Sequence, residues 1–202
     1  MAKVEITGRN REVAEVTPDL AVLVSNQPYP AFAQQKIHPF SEFMMTSAGS
    51  EDMSVDGSST NVDFFISAQD TEDRYVSSLS VIVAYGQTGN PYKWADANPL
   101  TNGHRLFYSS TRGEVDIFDG IKANQDFFRL QPDWVPAAWE VRGVNAVNDY
   151  GYFITINLAN DVPPFGIKLD AGSTQRLTMR IRDDATDADS FNIRAYGFDR
   201  FS

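Results

Sequence analysis

A strict two-residue alternation near the carboxyl end most narrows the folds open to this chain. From Arg176 to Arg182 the apolar Leu177, Met179 and Ile181 alternate with Arg176, Thr178, Arg180 and Arg182. From Phe191 to Phe198 the same period sets Phe191, Ile193 and Ala195 against Asn192, Arg194 and Tyr196. Successive side chains of a strand point to opposite faces, so each segment reads as an antiparallel strand with one buried and one wet face. The short polar link between them, Asp183 to Ser190, places the two strands in one hairpin or in facing sheets.

The chain beyond about residue 62 repeats this theme. Strands are expected at Asn61–Ile66, Arg74–Ala84, His104–Tyr108, Glu114–Phe118, Phe127–Leu130, Trp139–Val141, Tyr152–Leu158 and Gly166–Leu169. Leu79, Val81 and Val83 share one face of the second. Turn residues punctuate the series at Asp56-Gly57, Gly89-Asn90-Pro91, Asn102-Gly103, Arg112-Gly113, Asp119-Gly120 and Asp170–Gly172. Many short strands with no helical period between them call for an all-β antiparallel sandwich or barrel. A jelly roll, with eight strands in two sheets, suits the length better than an immunoglobulin-type domain of ~100 residues.

Residues 1–60 have a different texture. They hold one apolar run, Leu20–Val24, then Pro28 and Pro30, then a Ser/Gly/Asp-rich stretch over 46–60 whose large apolar residues are Met53 and Val55. An extended N-terminal arm over 1–60 on a sandwich of residues 61–202 is the expectation, with a strand or two added to the same sandwich as the alternative. Phe32, Ile37, Phe40, Phe43, Met44 and Met45 give such an arm apolar surface to bury.

Composition removes several chemistries. There is no cysteine, which excludes disulfides, thiolate metal sites and thiol nucleophiles. Asp and Glu number 27 against 17 Lys and Arg, a formal charge of −10 that opposes extensive contact with nucleic acid phosphates. The amino terminus lacks the apolar core of a secretory signal, and no run approaches the ~20 apolar residues that span a bilayer. Neither nucleic acid nor membrane is an expected partner.

The candidates for chemistry are few. His38 and His104 are the two imidazoles, and both read as packing or hydrogen-bonding residues. Glu114, Asp116, Asp119 and Glu140 invite comparison with paired-carboxylate glycosidases, with Trp94, Trp134 and Trp139 as sugar platforms. Yet Glu114 and Asp116 alternate with Val115 and Ile117 as on any solvated strand face, although carbohydrate binding without hydrolysis stays open. The acidic link Asp183, Asp184, Asp187 and Asp189 has oxygen ligands suited to calcium but not the glycine and terminal glutamate of an EF-hand loop. Asp70, Glu72 and Asp73 form a weaker cluster. Gly49, Gly57, Gly86, Gly89 and Gly103 read as turn glycines rather than a phosphate-binding set. No catalytic, cofactor-binding or metal-binding residue is therefore assigned.

Five segments taken together carry a resemblance: Val55–Ser67, Tyr75–Val83, Asn98–Leu106, Gln175–Asp184 and Ser190–Gly197. They resemble small virion structural proteins of tailed bacteriophages over roughly residues 55–198, and the Leu100–Gly103 turn is the most telling part. The resemblance implies a non-enzymatic jelly-roll protein present in many copies on the capsid exterior, a decoration or cement protein. Its implied partners are the major capsid protein and further copies of itself, for which trimers are a common arrangement. The alternative is a tail- or fibre-associated receptor- or glycan-binding module, in which two of the three tryptophans line a shallow groove. The residues expected at interfaces are Phe32, Phe40, Phe43, Met44, Met45, Tyr92, Trp94, Trp134 and Trp139.

Overall fold

The computed structural model describes residues 5–7, 13–16, 22–24, 37–85, 92–130, 150–159 and 166–201. The chain divides into two compact units, one within residues 1–37 and one within 38–200. The first holds an antiparallel meander of β1 (Glu5–Thr7), β2 (Val13–Val16) and β3 (Val22–Val24), in that spatial order. Ile6 stands opposite Ala14, and Glu15 opposite Leu23.

The second unit is built from β4 (Ile37–Phe43), β5 (Val62–Ser67), β6 (Glu72–Tyr85), β7 (His104–Ser110), β8 (Gly113–Ile121), β9 (Tyr150–Asn157), β10 (Ile167–Leu169), β11 (Arg176–Ile181) and β12 (Ser190–Phe201). One sheet runs β5-β11-β7-β8. The other runs β10-β6-β12-β4, with β9 also paired to β6. β10 covers Arg74–Val76 and β9 covers Ser78–Tyr85, so the two act as one interrupted strand along β6. Counted this way, the pairs nest: β4 with β12, β5 with β11, β6 with β9 and β10, and β7 with β8. A long hairpin rolled over on itself deals these pairs alternately to two facing sheets, which is the jelly-roll arrangement. β11 and β12 therefore lie in facing sheets, one of the two arrangements that their alternation allowed.

The alternation works as the sequence demands. Leu177, Met179 and Ile181 on β11, and Phe191, Ile193 and Ala195 on β12, are fully buried. Phe64, Met179 and Leu106 stand in one cross-strand row, facing Leu79, Val81 and Val83 of the opposite sheet across a common core. Each such side chain contributes roughly 1.5–3 kcal/mol on burial. β6 changes parity within its length: Arg74 and Val76 are buried at even positions, and Leu79, Val81 and Val83 at odd ones. The switch falls at Ser77-Ser78, where the backbone carbonyl of Ser77 accepts from both Leu158 N and Ala159 N (2.9 and 3.1 Å). Just beyond, Gly166 (φ +99°) brings the chain back to the ladder so closely that a Cβ would stand 2.1 Å from Val76 O. Only glycine fits that approach.

Three expectations change. Residues 38–60 belong to the sandwich rather than to an arm, and the boundary lies near residue 37 instead of 60. β4 is the added strand, and behind it Met44 N and Met53 N donate to Ile193 O (2.8 Å) and Phe191 O (2.6 Å) while both side chains are wholly buried. The polar texture of 46–60 concealed this because one buried methionine, Met53, with Met44 just before the stretch, suffices to anchor it. The expected strand Phe127–Leu130 is a 3₁₀ turn over Asn124–Leu130. There the Asp126 carboxylate accepts from Lys122 N (2.8 Å) and Ala123 N (2.9 Å), folding the chain back so that Phe127 enters the core. Asp119-Gly120, expected as a turn, lies inside β8, where Gly120 (φ +84°) is the extra residue of a bulge opposite His104 and Arg105. The expected strand Trp139–Val141 lies outside the described residues.

Candidate functional site

The histidine with the better claim to chemistry is fully committed to packing. His104 opens β7 on the core side with no exposed surface. Its ring meets Trp94 edge-on at 4.7 Å and stacks on Phe191 at 6.0 Å. Burial lowers its pKa to about 3, so the imidazole is neutral and serves as an aromatic plug. His38 lies on the edge strand β4, 3.0 Å from Glu72.

The carboxylates suggested as an acid pair are likewise engaged. Arg105 Nε donates to Asp116 (2.5 Å), and its guanidinium also binds Glu114. Arg182 binds Asp119, and Arg180 grips Asp63 with two bonds of 2.7 and 2.8 Å. These groups tile the outer face of the β5-β11-β7-β8 sheet. Between them the phenyl rings of Phe65 and Phe107 lie beneath guanidinium groups, Arg176 over the first at 4.1 Å and Arg105 over the second at 4.3 Å. Hydrogen bonds donated to Asp116 and Glu114 hold Arg105 above its ordinary pKa despite some burial. Glu140 lies outside the described residues.

The acidic link has a different task. Asp183 turns inward, where its carboxylate accepts from the consecutive backbone amides of Thr101 (3.1 Å), Asn102 (2.9 Å) and Gly103 (2.6 Å). Arg182 completes the lock by donating to the carbonyls of Gly103 (2.6 Å) and Asn102 (3.0 Å). Two of the segments that carried the resemblance, Leu100–Gly103 and Gln175–Asp184, are thus joined in space. Asp184 receives the amide and hydroxyl of Thr186, and among the described residues no group of three His, Asp or Glu is arranged to hold a metal ion.

The expected interface residues divide. Trp94 is not a surface anchor: it is 1% exposed and packs in the core against His104, Phe127 and Phe191. The tight turn Trp94–Ala97, closed by reciprocal amide–carbonyl bonds of 2.8 and 3.0 Å, tucks the indole under its own loop. Met44 is likewise core. Phe40 is partly buried beneath the Arg74 guanidinium (4.2 Å), and Phe43 beneath that of Arg194 (4.3 Å). Met45 and Tyr92 are exposed, at 36% and 57%. Phe32, Trp134 and Trp139 lie outside the described residues. Val115, 61% exposed on β8, was missed as a surface apolar group because its alternation with acids suggested only an ordinary strand.

One concavity, of about 280 Å³, opens between the segments 92–99 and 120–129. Tyr92, Asn98, Lys122, Gln125, Asp126 and Arg129 border it, with Gly120 and Ala123 among its lining. The fold and surface together define a class: an all-β jelly-roll sandwich with ion-paired strand faces and the His104 imidazole in the core. Set against known proteins, the chain matches no family model, no curated protein and no solved structure.

Proposed function

We propose that this chain is a non-enzymatic structural protein of a bacteriophage particle, a decoration or cement protein on the capsid exterior that binds the major capsid protein and copies of itself. The observation that carries the reading is the use of polar residues: the groups with a claim to chemistry, His104, Asp183 and the β8 carboxylates, are spent on packing and on holding strands and loops together. Exposed apolar side chains remain on several edges and loops, at Ile37, Met45, Tyr92 and Val115. Surfaces of this kind suit contact between subunits, and a jelly roll offers its loops and edge strands to neighbours while its two sheets stay packed.

The test is a cryo-EM reconstruction of particles produced by the phage that encodes the chain, paired with light scattering on the isolated protein. Density for the sandwich between or upon capsomers is expected, together with binding of the purified protein to heads that lack it. Density found in the tail alone would reject the capsid assignment, and hydrolytic turnover by the purified chain would reject the non-enzymatic one.

A further inference from the structure

We propose that the concavity beside Tyr92 is a binding subsite for one anionic sugar residue, such as a uronic acid within a glycan. The inference stands apart from the particle assignment, because a protein on a head, a tail or no particle at all presents the same pocket.

Charge is the first argument. The chain as a whole carries −10, yet this pocket brings together Lys122 and Arg129 with a single carboxylate, Asp126. That carboxylate is occupied from within: one oxygen accepts the amides of Lys122 and Ala123, and the other lies 3.1 Å from Arg129. Lys122 makes no ion pair among the described residues, and Arg129 is 67% exposed with guanidinium donors to spare. A local positive site on an acidic protein selects an anion.

Shape and polarity narrow the anion to a sugar. At about 280 Å³ the pocket lies near the small end of ligand sites, which run from ~300 Å³, and accommodates one ring rather than an extended polymer. Tyr92 presents a largely exposed aromatic ring at its border. Asn98 and Gln125 each offer a donor and an acceptor, which match the vicinal hydroxyls of a pyranose. Inorganic phosphate would use the two cations and leave the ring and amides idle. A flat aromatic acid would leave the amides idle.

The site is also held in shape before any ligand arrives. Leu100 N donates to Lys122 O (2.9 Å) and Asn124 Nδ2 to Lys93 O (2.6 Å), stitching one rim to the other. Trp94 roots the Tyr92 rim in the core, and Phe127 roots the Arg129 rim. Such preorganisation lowers the ordering cost of binding.

The experiment is a ¹⁵N-HSQC titration of the full chain with D-glucuronate, D-glucose and inorganic phosphate in parallel. Saturable shifts at the amides of 92–99 and 120–129 are expected with glucuronate at millimolar concentration, with glucose and phosphate each roughly tenfold weaker or worse. Tyr92→Ala and Lys122→Gln should each weaken glucuronate about tenfold, while Lys122→Arg retains most of the binding. Both side chains are exposed, so unchanged melting curves will separate lost binding from lost fold. Glucose binding as well as glucuronate, phosphate binding as well as glucuronate, or no saturable shift with glucuronate would each overturn the proposal.

Discussion

A neutral imidazole enclosed by Trp94 and Phe191 ties stability to pH. The free imidazole titrates near 6.5, whereas His104 in the fold is held to about 3 by burial. Above pH 6.5 both states are neutral at this site and the full stability is present. As the pH falls the unfolded chain takes up a proton that the folded chain refuses, so stability declines until about pH 3. Between pH 7 and pH 5 the loss from this residue is about 2 kcal/mol, and His104→Phe should remove it. Urea melts of both proteins at the two pH values measure this directly, and equal acid sensitivity would mean that the imidazole is hydrated in the folded state. Arg74 is the opposite case at the same scale. Burial opposes its charge, but two bonds of 2.8 Å to Asp199 and two of 2.9 Å to Glu42 outweigh it and raise the pKa. Its place at the start of an expected strand was readable in the sequence; its burial, which follows from the parity switch at Ser77-Ser78, and its partners, 32 and 125 residues away, were not.

At the scale of elements, loops are fastened by side chains from distant strands. Asp183 follows β11, yet it organises the turn before β7 by accepting three successive amides. Removing the carboxylate leaves the buried Gly103 amide without a partner and turns the part-buried Thr101 and Asn102 amides to water, and an unsatisfied buried amide costs about 1–3 kcal/mol. Asp183→Ala is expected to destabilise the protein by roughly 2–4 kcal/mol, with Asp183→Asn, which keeps one acceptor, costing less. Thermal denaturation of the pair gives the order, and an unchanged melting temperature for Asp183→Ala would show that the turn holds itself. The same lock explains why the acidic link looked like a calcium loop. Its charge pattern was visible, but the inward rotation of Asp183 depends on β11 and β7 being neighbours in one sheet. Likewise Phe127–Leu130 has strand-like composition, and only the Asp126 bonds to Lys122 and Ala123 determine that it coils.

At the scale of the whole molecule, the sandwich begins near residue 38, which makes truncation informative. A chain lacking residues 1–36 should retain a cooperative melt and native β circular dichroism, because β4, Met44 and Met53 are all kept. A chain lacking residues 1–60 loses an edge strand and two wholly buried methionines, each of which costs about 2–5 kcal/mol when emptied from a core. That second truncation is expected to be unfolded, and a stable fold from it would return the boundary to residue 60. The sequence by itself determined the class: period two in β6, β11 and β12 marks one wet and one dry face, and that pattern is local chemistry. Tertiary structure alone decided that β11 and β12 face each other across the core and that Trp94 is core rather than anchor. It also decided that Lys122 and Arg129 share a pocket with Tyr92. Those outcomes depend on which distant segments become neighbours, and the nested pairing of the jelly roll fixes this through long-range burial that no short window of residues encodes.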